Sequence, residues 1–303
     1  MSAVPSVSSS LSSPSAIPLT ARGVIALTGA DRISFLQGLV TADVSRVTPT
    51  RAGWGALLTP QGKFLHDIFF LATGDQMLLD VEAERLPDLL KRLRLYRLRA
   101  KVELTDASDR FTVAAVIGDG AAALLGVPAE AGAARPYEEG AACVDPRLPD
   151  LGCRLLLPRE APLPAPVGDA ADWDRLRLGL GVPDGSRDLI PDKSILLENG
   201  FDELGGVAWD KGCYMGQELT ARTRYRGLVK KRLLPVRLDG PLPAPGTIIL
   251  AGDRDVGEIR SGRDGMALAL LRLDALAQET PLRAGDTRLT PAIPDWVRLP
   301  AKA

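Results

Sequence analysis

Histidine is nearly absent: the 303 residues contain one, His66. A single imidazole excludes two-histidine zinc sites and leaves only His66 for a histidine-based triad. Cysteine is scarce as well. Cys143, Cys153 and Cys213 are an odd number with no CxxC pair, which matches neither a disulfide framework nor the spacing of zinc or iron-sulfur ligands, so no stable metal is expected. Unpaired thiols predict a reducing, cytoplasmic home. No apolar run approaches the roughly 18 residues of a membrane span. Neither sign of charge dominates, with 37 Lys plus Arg against 38 Asp plus Glu, so only a local patch could attract nucleic acid or a membrane. Residues 1–17 are rich in Ser and Pro, without a basic start or a continuous apolar stretch, and are expected to be a disordered tail rather than a secretory signal. What is present in quantity is apolar residue, 46% of the chain, enough at this length for a sizeable core and two domains.

Residues 24–29 read as a strand. Asp31 follows as the N-cap of a helix whose Ile33, Leu36, Leu39 and Val40 share an inward face. Two apolar runs, 64–72 and 77–81, joined by TGDQ, predict a β-hairpin. In EAERLPDLLKRLRLYRL, Leu86, Leu89, Leu90, Leu93 and Tyr96 recur at helical spacing, and Leu95 is the one apolar residue off that face. Strands at 101–104 and 112–117 follow, so the pattern is α+β rather than a doubly wound parallel sheet. A proline-rich crossing near 158–169 leads into a helix at 170–180. Residues 18–233 are thus expected to form an α+β region of one or two lobes. Short strands with regular Gly, Pro and Asp turns predict a small β-barrel over 234–303.

The chemistry concentrates in 191–232, where six glycines and four aromatics accompany a dense mixture of charges. KGCYMGQE (211–218) places the Cys213 thiol two residues after Lys211, between two glycines. Nearby positive charge favours a thiolate there; the plainer reading is a small half-buried turn residue. Between Arg222 and Arg232 lie six cations and no acid. As a strand, this run puts Arg222, Arg224 and Arg226 on one face as a site for carboxylate or phosphate. The alternative is a solvated edge strand protected by its charges. Flanking aromatics are too sparse for an RNA-stacking platform. Earlier, alternation in GKFLHDIFF sends Asp67 to one face with Leu65 and Phe69, and His66 to the other with Phe64 and Ile68. A carboxylate on an apolar face must be paired or must bind a polar ligand. Satisfaction by local backbone is the alternative for Asp67, and a sheet position without chemistry is the one for His66.

The KGCYMGQE segment resembles the YgfZ branch of the folate-binding family that also contains the aminomethyltransferase (T-protein) of the glycine cleavage system. FLQGLVTADV (35–44), QGKFLHD (61–67), RLGLGVPDG (177–185), RTRYRGLVKKRL (222–233) and DVGEIRSGRDGMALALLR (255–272) extend the resemblance over nearly the whole chain after the tail. It implies a ring of α+β lobes around a channel that binds tetrahydrofolate, with a C-terminal barrel. It also implies a part in assembling or repairing iron-sulfur clusters in client enzymes, including tRNA-modifying radical enzymes. By position, Cys213 is then the functional thiol, with Lys211, Tyr214, Gln217 and Glu218 shaping its loop. Asp67 stands where T-proteins place a folate-contacting aspartate, but His66 replaces the acid beside it. Arg222, Arg224 and Arg226 are expected to pair with a folate's glutamyl carboxylates. A second reading is a folate-dependent aminomethyl or methyl transferase, and a third is an RNA-binding scaffold.

Overall fold

The structure is a computed structural model that describes residues 12–278 and 280–299. Along the chain the strands are β1 Ser15–Pro18, β2 Arg22–Thr28, β3 Gly53–Leu58, β4 Phe64–Thr73, β5 Gln76–Glu82, β6 Glu103–Asp106, β7 Phe111–Ile117, β8 Ala134–Tyr137, β9 Gly140–Val144 and β10 Cys153–Pro158. They form two antiparallel sheets, in the orders β3-β4-β5-β2-β6 and β1-β7-β10-β9-β8. Residues 1–11 of the expected tail lie outside the described residues. Its last residues do not behave as a tail, because Ser15, Ala16 and Ile17 pair with Ile117, Val116 and Ala115.

One core joins the two sheets: Trp54, Phe69, Leu71 and Leu78 pack with Ile17, Phe111, Val113 and Leu156. The outer face of the first sheet is covered by two helices, α1 Arg32–Gln37 and α2 Leu86–Arg97. Leu86, Leu89, Leu90 and Leu93 of α2 are buried there, as their spacing predicts, while Tyr96 is exposed with Leu95. The helix α1 ends at Gln37, so its inward side is Phe35 and Leu36, and Ile33 is exposed. Asp31 makes no side-chain cap; its carboxylate accepts instead from the Lys101 backbone N–H at 2.7 Å.

The predicted hairpin is β4–β5, with an irregularity in the β3–β4 register between Leu57 and Leu58 that leaves Leu65 unpaired. The bulge re-aims the strand entry. Phe64 joins Phe69 in the core between the sheets and Leu65 joins Ile68 beneath the helices, the reverse of simple alternation.

The remaining strands, β11 Lys231–Asp239, β12 Ile248–Ala251, β13 Arg254–Arg263, β14 Met266–Arg272, β15 Leu282–Ala284 and β16 Thr287–Pro291, close into a barrel in the order β11-β14-β13-β12-β15-β16. Val236, Ile249, Val256, Ile259 and Leu289 fill it. Helix α3 Ala170–Gly179 lies against its outer wall, where Leu178 packs with Leu233, Leu268 and Leu270.

Candidate functional site

Two regions carry the candidate residues. The first lies between the sheets. Asp80, alone among the apolar residues of β5, receives Arg22 Nε at 2.6 Å on one oxygen and Arg154 Nη1 on the other. Arg147 grips Asp145 with two parallel bonds of 2.9 and 2.8 Å and donates to the Pro183 carbonyl at 3.1 Å. The three guanidiniums surround the Phe69 ring, with Cζ atoms 3.7 Å (Arg154), 4.9 Å (Arg147) and 5.4 Å (Arg22) from its centroid. Asp67 completes the set, 3.4 Å from Arg22 Nη1 and 3.5 Å from the Trp54 indole N–H.

Three carboxylates thus balance three guanidiniums, a condition for keeping charge in a low-dielectric interior. Burial pushes the Asp145 carboxyl up, but Arg147 outweighs it and holds it below the usual range. Glu82, at the rim, is raised by burial and then by Asp67, although Ser186 binds both of its oxygens. Gly185 closes over the pair. Its φ is +46°, and a Cβ there would stand 2.3 Å from Glu82 Oε1 and 3.1 Å from Asp67 Oδ1. Asp67 is therefore paired and enclosed, as an apolar setting demands. Its partners could not be read from the sequence; the one signal was a lone acid inside the apolar run of β5.

His66, on the opposite face, meets Asp88 of α2 at 2.9 Å through Nε2. Burial, then the charge of Arg85, lowers it to about 4, so it is neutral near pH 7.

The second region is the 211–218 loop. Lys211 Nζ donates to the carbonyls of Val40 and Ala42, both at 2.7 Å. Its ammonium is thus committed to the first lobe, and burial lowers it to about 8. Tyr214 is buried beneath it, with its ring centroid 5.2 Å from Nζ, and burial pushes the hydroxyl up to about 12. The loop backbone interlocks with the β3–β4 turn: a Cβ on Gly216 (φ +80°) would lie 2.5 Å from the Thr59 carbonyl, and one on Gly62 (φ +77°) 2.7 Å from the Gly216 carbonyl. Cys213 stands exposed on this seated loop, whereas Cys143 and Cys153 are buried.

The arginines at 222–226 do not lie in a strand; β11 begins only at Lys231. Residues Gln217–Tyr225 form helix α4, which starts at Gln217 and Glu218 of the motif. Charges two apart mimic strand alternation, yet on a helix they diverge. Arg222 and Arg226 fall on one side, and Arg224 lies elsewhere, over the Trp209 ring at 4.1 Å and 3.8 Å from Asp202. Arg224 borders a cleft of about 440 Å³ shared with Leu197, Glu203, Val229, Arg232 and Leu299. In it Arg232 pairs with Glu203 at 2.6 Å. Among the described residues no hydrogen bond or ion pair joins Asp67 to residues 211–226, so the enclosed network and the loop are separate places.

Comparison with known proteins gives three results. The model of the CAF17 C-terminal beta-barrel domain matches residues 230–299. The mitochondrial iron-sulfur cluster assembly factor IBA57 of Homo sapiens is 34% identical over 306 residues, covering 92% of this chain and 84% of that protein; its Mus musculus counterpart is 32% identical over 94% and 86%. Among solved structures, the glycine cleavage system aminomethyltransferase T from Bartonella henselae superposes with a TM-score of 0.76 at 14% identity, covering 95% of this chain and 88% of that one. The last likeness shows the fold, α+β with a closed C-terminal barrel. The names of the relatives overturn the cytoplasmic expectation, because both are mitochondrial proteins. Unpaired cysteines fit any reducing compartment and do not discriminate among them.

Proposed function

This chain belongs to the IBA57 family of iron-sulfur cluster assembly factors rather than to the YgfZ branch its motifs resemble, and from that premise we propose that it assists cluster assembly through Cys213. One observation carries the reading: of three thiols, two are sealed in a sheet and one stands in solvent on a loop anchored at both ends. Burial pushes the Cys153 thiol up to about 12 and Cys143 higher still, so neither offers a thiolate. A lone thiol supplies one of the several ligands a cluster takes. Cluster contact is therefore shared with a second protein, an assembly component or a client enzyme, and tRNA-modifying radical enzymes are among the clients this reading includes. Complementation tests it: Cys213→Ala abolishes rescue of iron-sulfur enzymes in cells lacking the wild-type chain, and full rescue refutes the role.

Tetrahydrofolate is the finer part of the proposal. Carboxylates at Asp67 and Glu82, which meet under Gly185, suit a flat ring that bears N–H donors, and Asp67 holds its present partners only at 3.4 and 3.5 Å. Gly185 covers this set, so entry requires segment 184–186 to give way. Arg222 and Arg226 remain exposed on α4 for glutamyl carboxylates. A thermal-shift titration decides. At about 100 times its dissociation constant a ligand adds roughly 2.7 kcal/mol; no shift removes folate and leaves the role of Cys213 standing.

A further inference from the structure

Helix α2 ends in a surface that neither the core nor the two regions above uses. Residues 91–101, KRLRLYRLRAK, hold six cations and no acid in a chain whose net charge is −1. Within this run Leu95 is 67% exposed, Tyr96 41% and Leu98 89%. Leu98 also has φ +43° with ψ −109°, a backbone conformation outside the left-handed helical region that costs any residue with a Cβ and suits glycine. A large apolar side chain is thus kept in water at a position where glycine would sit with less strain. The first turn of α1 is tied to the same end by the bond from the Lys101 N–H to Asp31. Four of the six cations lack partners: Arg92 pairs with Asp88 and Arg94 donates to the Leu104 carbonyl, but among the described residues the side chains of Lys91, Arg97, Arg99 and Lys101 make no hydrogen bond or ion pair.

We propose that this end of α2 is a docking knob, Leu95, Tyr96 and Leu98 within a ring of cations, for a protein surface that presents an apolar pocket rimmed by carboxylates. An apolar centre with a charged rim is the anatomy of a protein interface, and Tyr and Arg are enriched in such contacts. Complementary charge sets the partner's sign. A membrane is disfavoured because a helix lying on lipid needs its apolar stripe free, and here Leu86, Leu89, Leu90 and Leu93 are buried in the core. RNA is disfavoured because Tyr96 is the only aromatic ring in the run, and one ring makes no stacking platform. The knob goes beyond the role proposed for Cys213 and stands or falls separately from it.

Photo-crosslinking of the full chain tests this, with benzoylphenylalanine in place of Tyr96, in cells whose iron-sulfur enzymes depend on it, and with the attached peptides sequenced. The expected product is a defined peptide with apolar residues among acids. Its yield should fall roughly tenfold or more in the Arg97→Glu/Arg99→Glu variant and persist in Cys213→Ala. Leu98→Gly provides the folding control, since it should melt no lower than the parent yet lose most of the crosslink. Attachment to phospholipid or RNA, peptides without acids, a yield indifferent to charge reversal, or no crosslink at all overturns the proposal.

Discussion

The enclosed network and the Cys213 loop use charge in opposite ways. Between the sheets, Arg22, Arg147 and Arg154 balance Asp67, Asp80 and Asp145, three charges against three, and the short pairs at Asp80 and Asp145 hold two sheets together across an apolar core. At the loop, a single ammonium is tied to backbone carbonyls and the exposed thiol of Cys213 nearby is unpaired. Titratable residues that pair and are enclosed hold structure here, whereas the thiol proposed to act stands exposed and unpaired. The distinction rests on pairing and access, not on residue type.

The comparison breaks most readily in the network. Arg154→Met leaves Asp80 and Asp145 short of a buried partner and should cost about 3–5 kcal/mol, read as a lower midpoint in denaturant; a loss under about 1 kcal/mol means water reaches the network. Next is the loop's backbone. Gly216→Ala forces a Cβ against the Thr59 carbonyl at positive φ and should cost about 1–3 kcal/mol, with loss of rescue, because the seat of Cys213 shifts.

A pH-dependent effect separates His66 from both regions. Its folded value of about 4 lies below the ordinary 6.5, so the unfolded chain binds the proton more readily across that interval. Stability should fall as pH drops from about 6.5 to about 4, and His66→Gln should flatten that limb of the profile. The smallest stability change belongs to Cys213→Ala, within about 0.5 kcal/mol, although it removes rescue entirely. A large loss of stability in that variant would erase the contrast.

How much of this was legible in the sequence follows from the range of each interaction. The β4–β5 hairpin, the buried stripe of α2 and most barrel strands follow from local periodicity, which acts over a few residues. Exceptions arise where a local rule meets a tertiary one. Spacing by two suggested a strand at 222–226, while the glycine at 216 opened a helix instead. Alternation at 64–67 was reversed by a one-residue bulge set by β3. Asp67 was legible as a carboxylate that needed a partner, but the partner, Arg22, lies 45 residues away in sequence. The Asp80–Arg154 pair, separated by 74 residues, left only the trace of one acid inside the apolar run 77–81. Cys213, Lys211 and their glycines were visible at once because they are contiguous.

The seat of the loop has a kinetic side. The amides of Ala208 and Met215 donate to the carbonyls of Thr41 and Gly38, and Thr41 itself bonds the Gly206 carbonyl and the Ala56 N–H. These protons exchange with solvent only when segment 208–215 parts from residues 38–41, which the Thr41 N–H ties in turn to the Ala56 carbonyl of β3. In hydrogen exchange the segment around Cys213 should therefore report with the first sheet, slowly, and not with surface turns: a thiol open to its partners is carried on backbone that opens only when the sheet's own edge does.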